Sequence, residues 1–329
     1  MIFGFLILFA CSKGSYKISY PKNYPKPIYN FKQNPLKKDI IAIGKALFYD
    51  PILSADSSIS CASCHSPYNA FAHSDHTLSH GIRDQIGNRN APALMNLAWQ
   101  KSFMWDGAIV RLDAQALAPI SHPKEMGSTI EQVVMKLNRS EIYRKLFWKA
   151  FEDSIVTSSE VMKSLAQFQL TFVSFNSKYD SVQNGLAKFS PQEINGYKLF
   201  LKNCNGCHKE PLFSTYDFEN NGLSVDTTLN DKGKFTISLQ SNDSLKFKIP
   251  SLRNLSYSFP YMHDGRFRSL QQVLNHYVKG IHASPTLSNI LQNGIALTSN
   301  EKVDIIAFLL TLNDKNFIFN KNISFPKKN

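Results

Sequence analysis

The chain has 329 residues, 43% of them hydrophobic, which is enough for two domains with cores of their own and too apolar for a disordered polypeptide. The formal net charge is +12, yet seven lysines (13, 17, 22, 26, 32, 37 and 38) and no acid lie in residues 11 to 38, so removing those seven leaves +5. The basic balance belongs largely to the tail and does not imply nucleic acid binding.

Residues 2 to 10 are almost wholly apolar, too short to span a bilayer, and stop at Cys11. A short apolar run ending Leu8-Phe9-Ala10-Cys11 resembles a lipoprotein signal, with Cys11 as the acylated mature N-terminus and the membrane reached through that anchor. An ordinary signal peptide with an unused thiol fits the same residues. Pro21, Pro25, Pro27 and Pro35 stand among the lysines, so residues 1–34 read as signal plus extended tether or solvated linker.

A coarse repeat follows. Each half has a helical lead-in ending in Leu-Phe (Ile40 to Phe48, Ile194 to Phe200), then a Cys-x-x-Cys-His pentad, then a long loop. Ser190, Pro191 and Glu193 are a helix start signal for the second lead-in. Val161, Leu165, Phe168, Phe172 and Phe175 recur at helical spacing and predict a helix closing the first half. Thr298 and Glu301 frame a capping box before the apolar run 303–310, which predicts the closing helix of the second half. Strand patterning is sparse. The expected fold is mainly α: two cytochrome-c-like domains, 35–180 and 181–315, joined near 176–190, with a haem interface between them and a tail over 316–329.

The pentads, Cys61-Ala62-Ser63-Cys64-His65 and Cys204-Asn205-Gly206-Cys207-His208, are the attachment signature of haem c. Two thiols bond the haem vinyl groups and the histidine becomes an axial ligand of the iron. A redox dithiol or half a zinc site would not need the final His in both copies. The pentads stand 143 residues apart, far beyond zinc-ribbon spacing. Two covalently bound haem c groups are expected, and hence an exported, periplasmic protein.

Several further strings accompany the pentads: Arg89-Asn90-Ala91-Pro92, Met104-Trp105-Asp106-Gly107, Gln115 to Ile120, Glu125-Met126-Gly127, Ile249 to Asn254, and Pro260-Tyr261-Met262-His263-Asp264-Gly265-Arg266. Together, in this order, they resemble the bacterial dihaem cytochrome c peroxidases, and within them the MauG-like branch, over about residues 35 to 315. The resemblance implies that hydrogen peroxide reacts at the His65 haem. Glu125 would be the distal acid–base group and Gln115 its neighbouring amide, although local sequence alone reads Glu125 as a turn carboxylate. Trp105 would stand between the haems, where an ordinary core aromatic is the plainer reading. In the classical peroxidases of this family the other face of the first haem carries a histidine that leaves on activation. Here the matching position is Ile82, which cannot ligate iron, so the resemblance to the MauG-like branch implies a five-coordinate first iron; His73, His76 and His80 lie nearby, and His80 is the best substitute ligand.

The second iron would take His208 on one side. Fourteen residues past His263, where the classical peroxidases have methionine, stands Tyr277, the MauG-like residue. Ser269 and Gln272 frame a capping box, and Leu270, Val273, Leu274 and Tyr277 share one helical face, with His276 turned away. His276 and Met262 remain competing ligands. Asn90 with the carbonyls of Ser258 and Pro260 matches the family's calcium site, and hard oxygen donors suit that ion. The functional expectation is a dihaem peroxidase fed by a small periplasmic donor such as a c-type cytochrome or a cupredoxin. The alternatives are MauG-like oxidation of side chains on a partner protein and a non-enzymatic electron carrier.

Overall fold

The computed structural model describes residues 14–153 and 155–326 and is mainly helical, with one two-stranded antiparallel ladder pairing Phe218–Glu219 with Phe247–Lys248. The Cys11 reading falls outside the described residues. The lead-ins are the helices Lys38–Tyr49 and Pro191–Asn203, and the closing helices are Ser158–Gln169 and Ser299–Leu310. Capping boxes form at Ser190/Glu193 and Thr298/Glu301. The periodicity through Phe172 and Phe175 outruns the first closing helix, which ends at Gln169. Phe172 is still core, stacked on Phe71 with ring centroids 3.8 Å apart.

The repeat has a steric basis. Each lead-in helix crosses its closing helix at a glycine four residues before the Leu-Phe phenylalanine. A Cβ on Gly44 would lie 1.9 Å from the Ser164 carbonyl oxygen, and one on Gly196 would lie 1.9 Å from that of Asp304. Only a residue without a side chain allows the backbones so close, and the approach buries Phe48 and Phe200. Gly196→Ala must push the helices apart. The expected cost is about 1–3 kcal/mol, read as a lower thermal unfolding midpoint; an unchanged midpoint would show that the crossing yields freely.

One expectation of organisation changes, and two gain detail. Residues 14–34 do not form a solvated tether: Tyr24 is buried, the Ile28 and Tyr29 amides donate to the Ala98 carbonyl, and Trp99 Nε1 donates to the Pro25 carbonyl at 2.7 Å. Proline and lysine content marks an extended segment, but its spaced tyrosines supply apolar faces that find the body. The junction 176–190 holds a helix, Lys178–Gln183, whose Asp180 makes two 2.8 Å bonds to the fully buried Arg253. Tyr24 and Phe213 flank that guanidinium, each 5.4 Å from ring centroid to Cζ. The tail beyond 315 also folds back, with Phe317, Ile318 and Ile323 buried in the first-half core. The halves share a third cluster, in which Leu212 and Tyr216 pack with Leu97, Trp99 and Tyr24. This common packing fixes the pentads relative to each other.

Candidate functional site

Both pentads open onto one cavity of about 710 Å³ between the two halves, lined by Cys61, Cys64, His65, Cys204, Cys207 and His208. The first pentad is a short helix, Cys61–Cys64, with a Ser60/Ser63 capping box, and the His65 amide closes it onto the Cys61 carbonyl. His65 Nδ1 lies 2.7 Å from the Phe71 carbonyl oxygen. A carbonyl only accepts, so Nδ1 carries the proton and Nε2 keeps its lone pair. His208 repeats the device, with Nδ1 3.1 Å from the Pro250 carbonyl and 3.3 Å from that of Phe213. Burial pulls both imidazoles down to about 4, so both are neutral. The four pentad thiols form no disulfide, and burial pushes Cys61 and Cys204 up to about 12. Unpaired thiol pairs, neutral oriented imidazoles and a single large apolar-walled cavity fit two haem c groups.

On the first-half side the cavity is lined by Glu125, Gln115, Trp105, His80 and His122. Backbone bonds hold the Glu125 turn: its N–H donates to the His122 carbonyl at 3.0 Å, and its carbonyl accepts from Ile82 N at 2.8 Å. A Cβ on Gly81 would lie 2.4 Å from the Glu125 carbonyl oxygen, so Gly81 lets the two strands of chain touch. Burial raises the Glu125 carboxyl above its ordinary range, opposed by the nearby His122. Gln115 ends the helix Leu112–Gln115, and its Nε2 lies 3.7 Å from Met104 Sδ. Ile82 is buried against Gly127 and is not part of the cavity wall. His80 does line it, its ring stacked on His76 at 4.0 Å.

Trp105 lines the same cavity, Nε1 donating to the Asn90 carbonyl at 2.8 Å. Its own carbonyl accepts from Lys248 N at 2.8 Å. The next residue, Asp106, meets Arg89 at 2.5 Å, and Arg89 forks onto Asp231 at 2.6 and 2.8 Å. Asn90, Ser258 and Pro260 line the cavity together. Asn90 Nδ2 donates to the Thr77 carbonyl, which assigns Oδ1 as the oxygen able to face a cation.

The second-half wall is the helix Leu270–Lys279, capped by Ser269 and Gln272. Leu270, Val273, Leu274 and Tyr277 face the cavity, as does Met262. His276 is buried and turned into the protein, its Nε2 2.9 Å from the Asn221 carbonyl. Burial pushes the Tyr277 phenol up to about 12, so without a cation nearby it stays protonated.

Sequence reasoning missed the Phe71, Phe213 and Pro250 carbonyls, because backbone acceptors have no residue-type signal. It also missed Lys248, whose ammonium donates to Gln100 Oε1 at 2.9 Å and to the Ser102 carbonyl at 2.8 Å; burial lowers it to about 7. Arg89 was visible only inside a family string. Among the described residues no cluster of three or more His, Cys, Asp or Glu forms a metal site, and no helix is long and apolar enough to cross a membrane.

The model of the family described as Di-haem cytochrome c peroxidase matches residues 38–188. Methylamine utilization protein MauG of Methylorubrum extorquens is 36% identical over 302 residues, covering 89% of this chain and 82% of that protein. The chain belongs to the dihaem cytochrome c peroxidase family, in its MauG-like branch. Cytochrome c551 peroxidase of Nitrosomonas europaea is 32% identical over 309 residues, covering 92% of the chain and 89% of the relative. A solved MauG-like protein associated with microbial copper homeostasis superposes with a TM-score of 0.84 at 29% identity, covering 94% of this chain and 99% of that one. Membership makes this dihaem protein an oxidoreductase acting on peroxide and implies two haem c groups.

Proposed function

We propose that the chain reduces hydrogen peroxide at the His65 haem, with electrons passed through the His208 haem from a small periplasmic donor such as a c-type cytochrome or a cupredoxin. The observation that carries this reading is the wall shared by Glu125, Gln115 and Trp105 on the first pentad's side of the cavity. When bound, haem supplies electrons and a Lewis-acidic iron. The chain's part is proton transfer: the Glu125 carboxylate accepts a proton from the nearer peroxide oxygen and returns it to the farther one, which leaves as water. Gln115 orients peroxide by hydrogen bonding. Trp105, held by Asn90 and Lys248, relays electrons across the interface. A calcium ion on Asn90, Ser258 and Pro260 would stiffen the strand of chain that holds the Trp105 indole.

Ile82 has no donor atom for iron, which supports a first haem left open on that face, with His80 on the cavity wall as the rival ligand. The as-isolated diferric protein should show one high-spin ferric haem in paramagnetic resonance and react with peroxide without prior reduction. Steady-state turnover should run with a reduced c-type cytochrome. Two low-spin haems and no reaction before half-reduction would overturn this reading and make His80 the distal ligand.

A second reading, oxidation of side chains on a partner protein, is favoured by Tyr277 facing the cavity. A plain electron carrier has no use for Glu125 beside an open face.

The location is proposed to be periplasmic, with a lipid anchor at Cys11. Gly14 and Ser15 already pair with Lys38 and Lys37. An acylated Cys11 would therefore hold the body within ~10 Å of the bilayer, the reach of three extended residues. Labelled fatty acid should enter the wild type and be lost from Cys11→Ala; equal labelling would remove the anchor.

A further inference from the structure

Two of the three candidate outer ligands of the second iron bond to one residue, Asn221, and the third, Tyr277, lines the same cavity. The Asn221 carbonyl oxygen accepts from His276 Nε2 at 2.9 Å, and its side-chain Nδ2 donates to Met262 Sδ at 3.4 Å. The Asn221 side chain also opposes the effect of burial on the Tyr277 phenol. Asn221, Met262 and Tyr277 line the cavity together, while His276 is turned inward.

The segment is built to hold its place. Asn220, 1% exposed, accepts from Gly222 N through Oδ1 at 2.8 Å and donates through Nδ2 to Ser284 Oγ and Thr286 Oγ1, both at 2.9 Å. The His282 amide donates to the Gly222 carbonyl at 2.8 Å, and the Ser288 amide donates to that of Asn220 at 3.0 Å. Met262 sits at φ +75°, a backbone region sparsely populated by side-chain-bearing residues. Its sulfur is therefore oriented by surroundings rather than by local preference.

We propose that Asn221 is the positioning residue that selects Tyr277 as the outer ligand of the second haem iron, holding the Met262 sulfur through its amide and the His276 ring through its carbonyl. The inference rests on the Tyr277 ligation read above. An imidazole Nε2 that donates to a carbonyl has no lone pair left for iron, and a sulfur held by an N–H must break that bond or turn its second lone pair to reach a metal. The Tyr277 phenol faces the cavity and remains able to exchange its proton for the cation. Ligand identity matters because a neutral thioether favours ferrous iron, whereas a phenolate favours ferric.

The test uses the holoprotein and reads ligation and potential rather than turnover. The wild type should show a phenolate-to-iron charge-transfer band. In Asn221→Leu, which keeps the size and removes the donor, part of the second haem should gain the near-infrared thioether band and a higher reduction potential. In Asn221→Leu/Met262→Leu that band should vanish and the phenolate band return. Met262→Leu alone should leave the second haem's spectrum unchanged. Asn221→Ser, too short to reach Met262, should repeat the Asn221→Leu result if the leucine variant folds poorly. An Asn221 variant with wild-type spectrum and potential, beside a wild type that shows the phenolate band, overturns this inference alone. A spectral change in Met262→Leu alone also overturns it. Absence of the phenolate band from the wild type removes the Tyr277 reading and this inference with it.

Discussion

Glu125→Gln should slow peroxide reduction by on the order of 10²–10⁴-fold, the usual worth of a positioned acid–base group, with both haems still attached. The substitution is nearly isosteric. The turn that carries it is held by backbone bonds to His122 and Ile82 and by contact with Gly81, none of which involves the carboxyl. What changes is the proton: an amide cannot accept one from the bound peroxide. The pH dependence gives a second readout. The carboxyl must be ionised to start the transfer, so the rate should fall as pH drops through its pKa. Burial raises that pKa, so the acid limb should lie above the ordinary carboxylate range in the wild type and vanish in Glu125→Gln. An unchanged rate with an unchanged acid limb would return Glu125 to a turn carboxylate that merely lines the cavity.

Tyr277→His should raise the reduction potential of the second haem by on the order of 0.1 V, within the roughly 0.8 V over which axial ligands move haem potentials. The haem should stay attached, because Cys204 and Cys207 hold it covalently and His208, set by the Pro250 and Phe213 carbonyls, still binds from the other side. The helix should tolerate the change, since the capping box at Ser269 and the wall formed by Leu270, Val273 and Leu274 are untouched. The two functional readings then separate. If turnover with reduced cytochrome survives, the second haem works as an electron store. If oxidation of a partner protein is lost while peroxide is still consumed, the phenolate was needed for long-range oxidation. A variant whose optical and resonance spectra equal the wild type's would exclude Tyr277 as ligand and direct attention to Met262 and His276.

Covalent chemistry and helix capping were legible in the chain alone. The pentads, the boxes at Ser190, Ser269 and Thr298, and the lead-ins ending in Leu-Phe act over a few residues, where residue type and spacing determine geometry. The candidate roles of Glu125, Gln115, Trp105 and Tyr277 were legible only through family strings, since each looks ordinary among its neighbours. Tertiary structure decided the rest. It brought Glu125 beside Cys64, 61 positions earlier in the chain, and turned residues 14–34 from a tether into a strap over Trp99. It also returned Phe317 and Ile323 to the first-half core and set backbone carbonyls behind both axial histidines. Asn221 is the clearest case. Its carbonyl and amide are groups any asparagine has, and only the packing of the 220–222 segment against the 282–288 loop aims them at His276 and Met262. Local sequence sets what a residue can donate or accept; which partner stands within 3 Å depends on segments far apart in the chain, whose approach is driven by burial that no short window encodes.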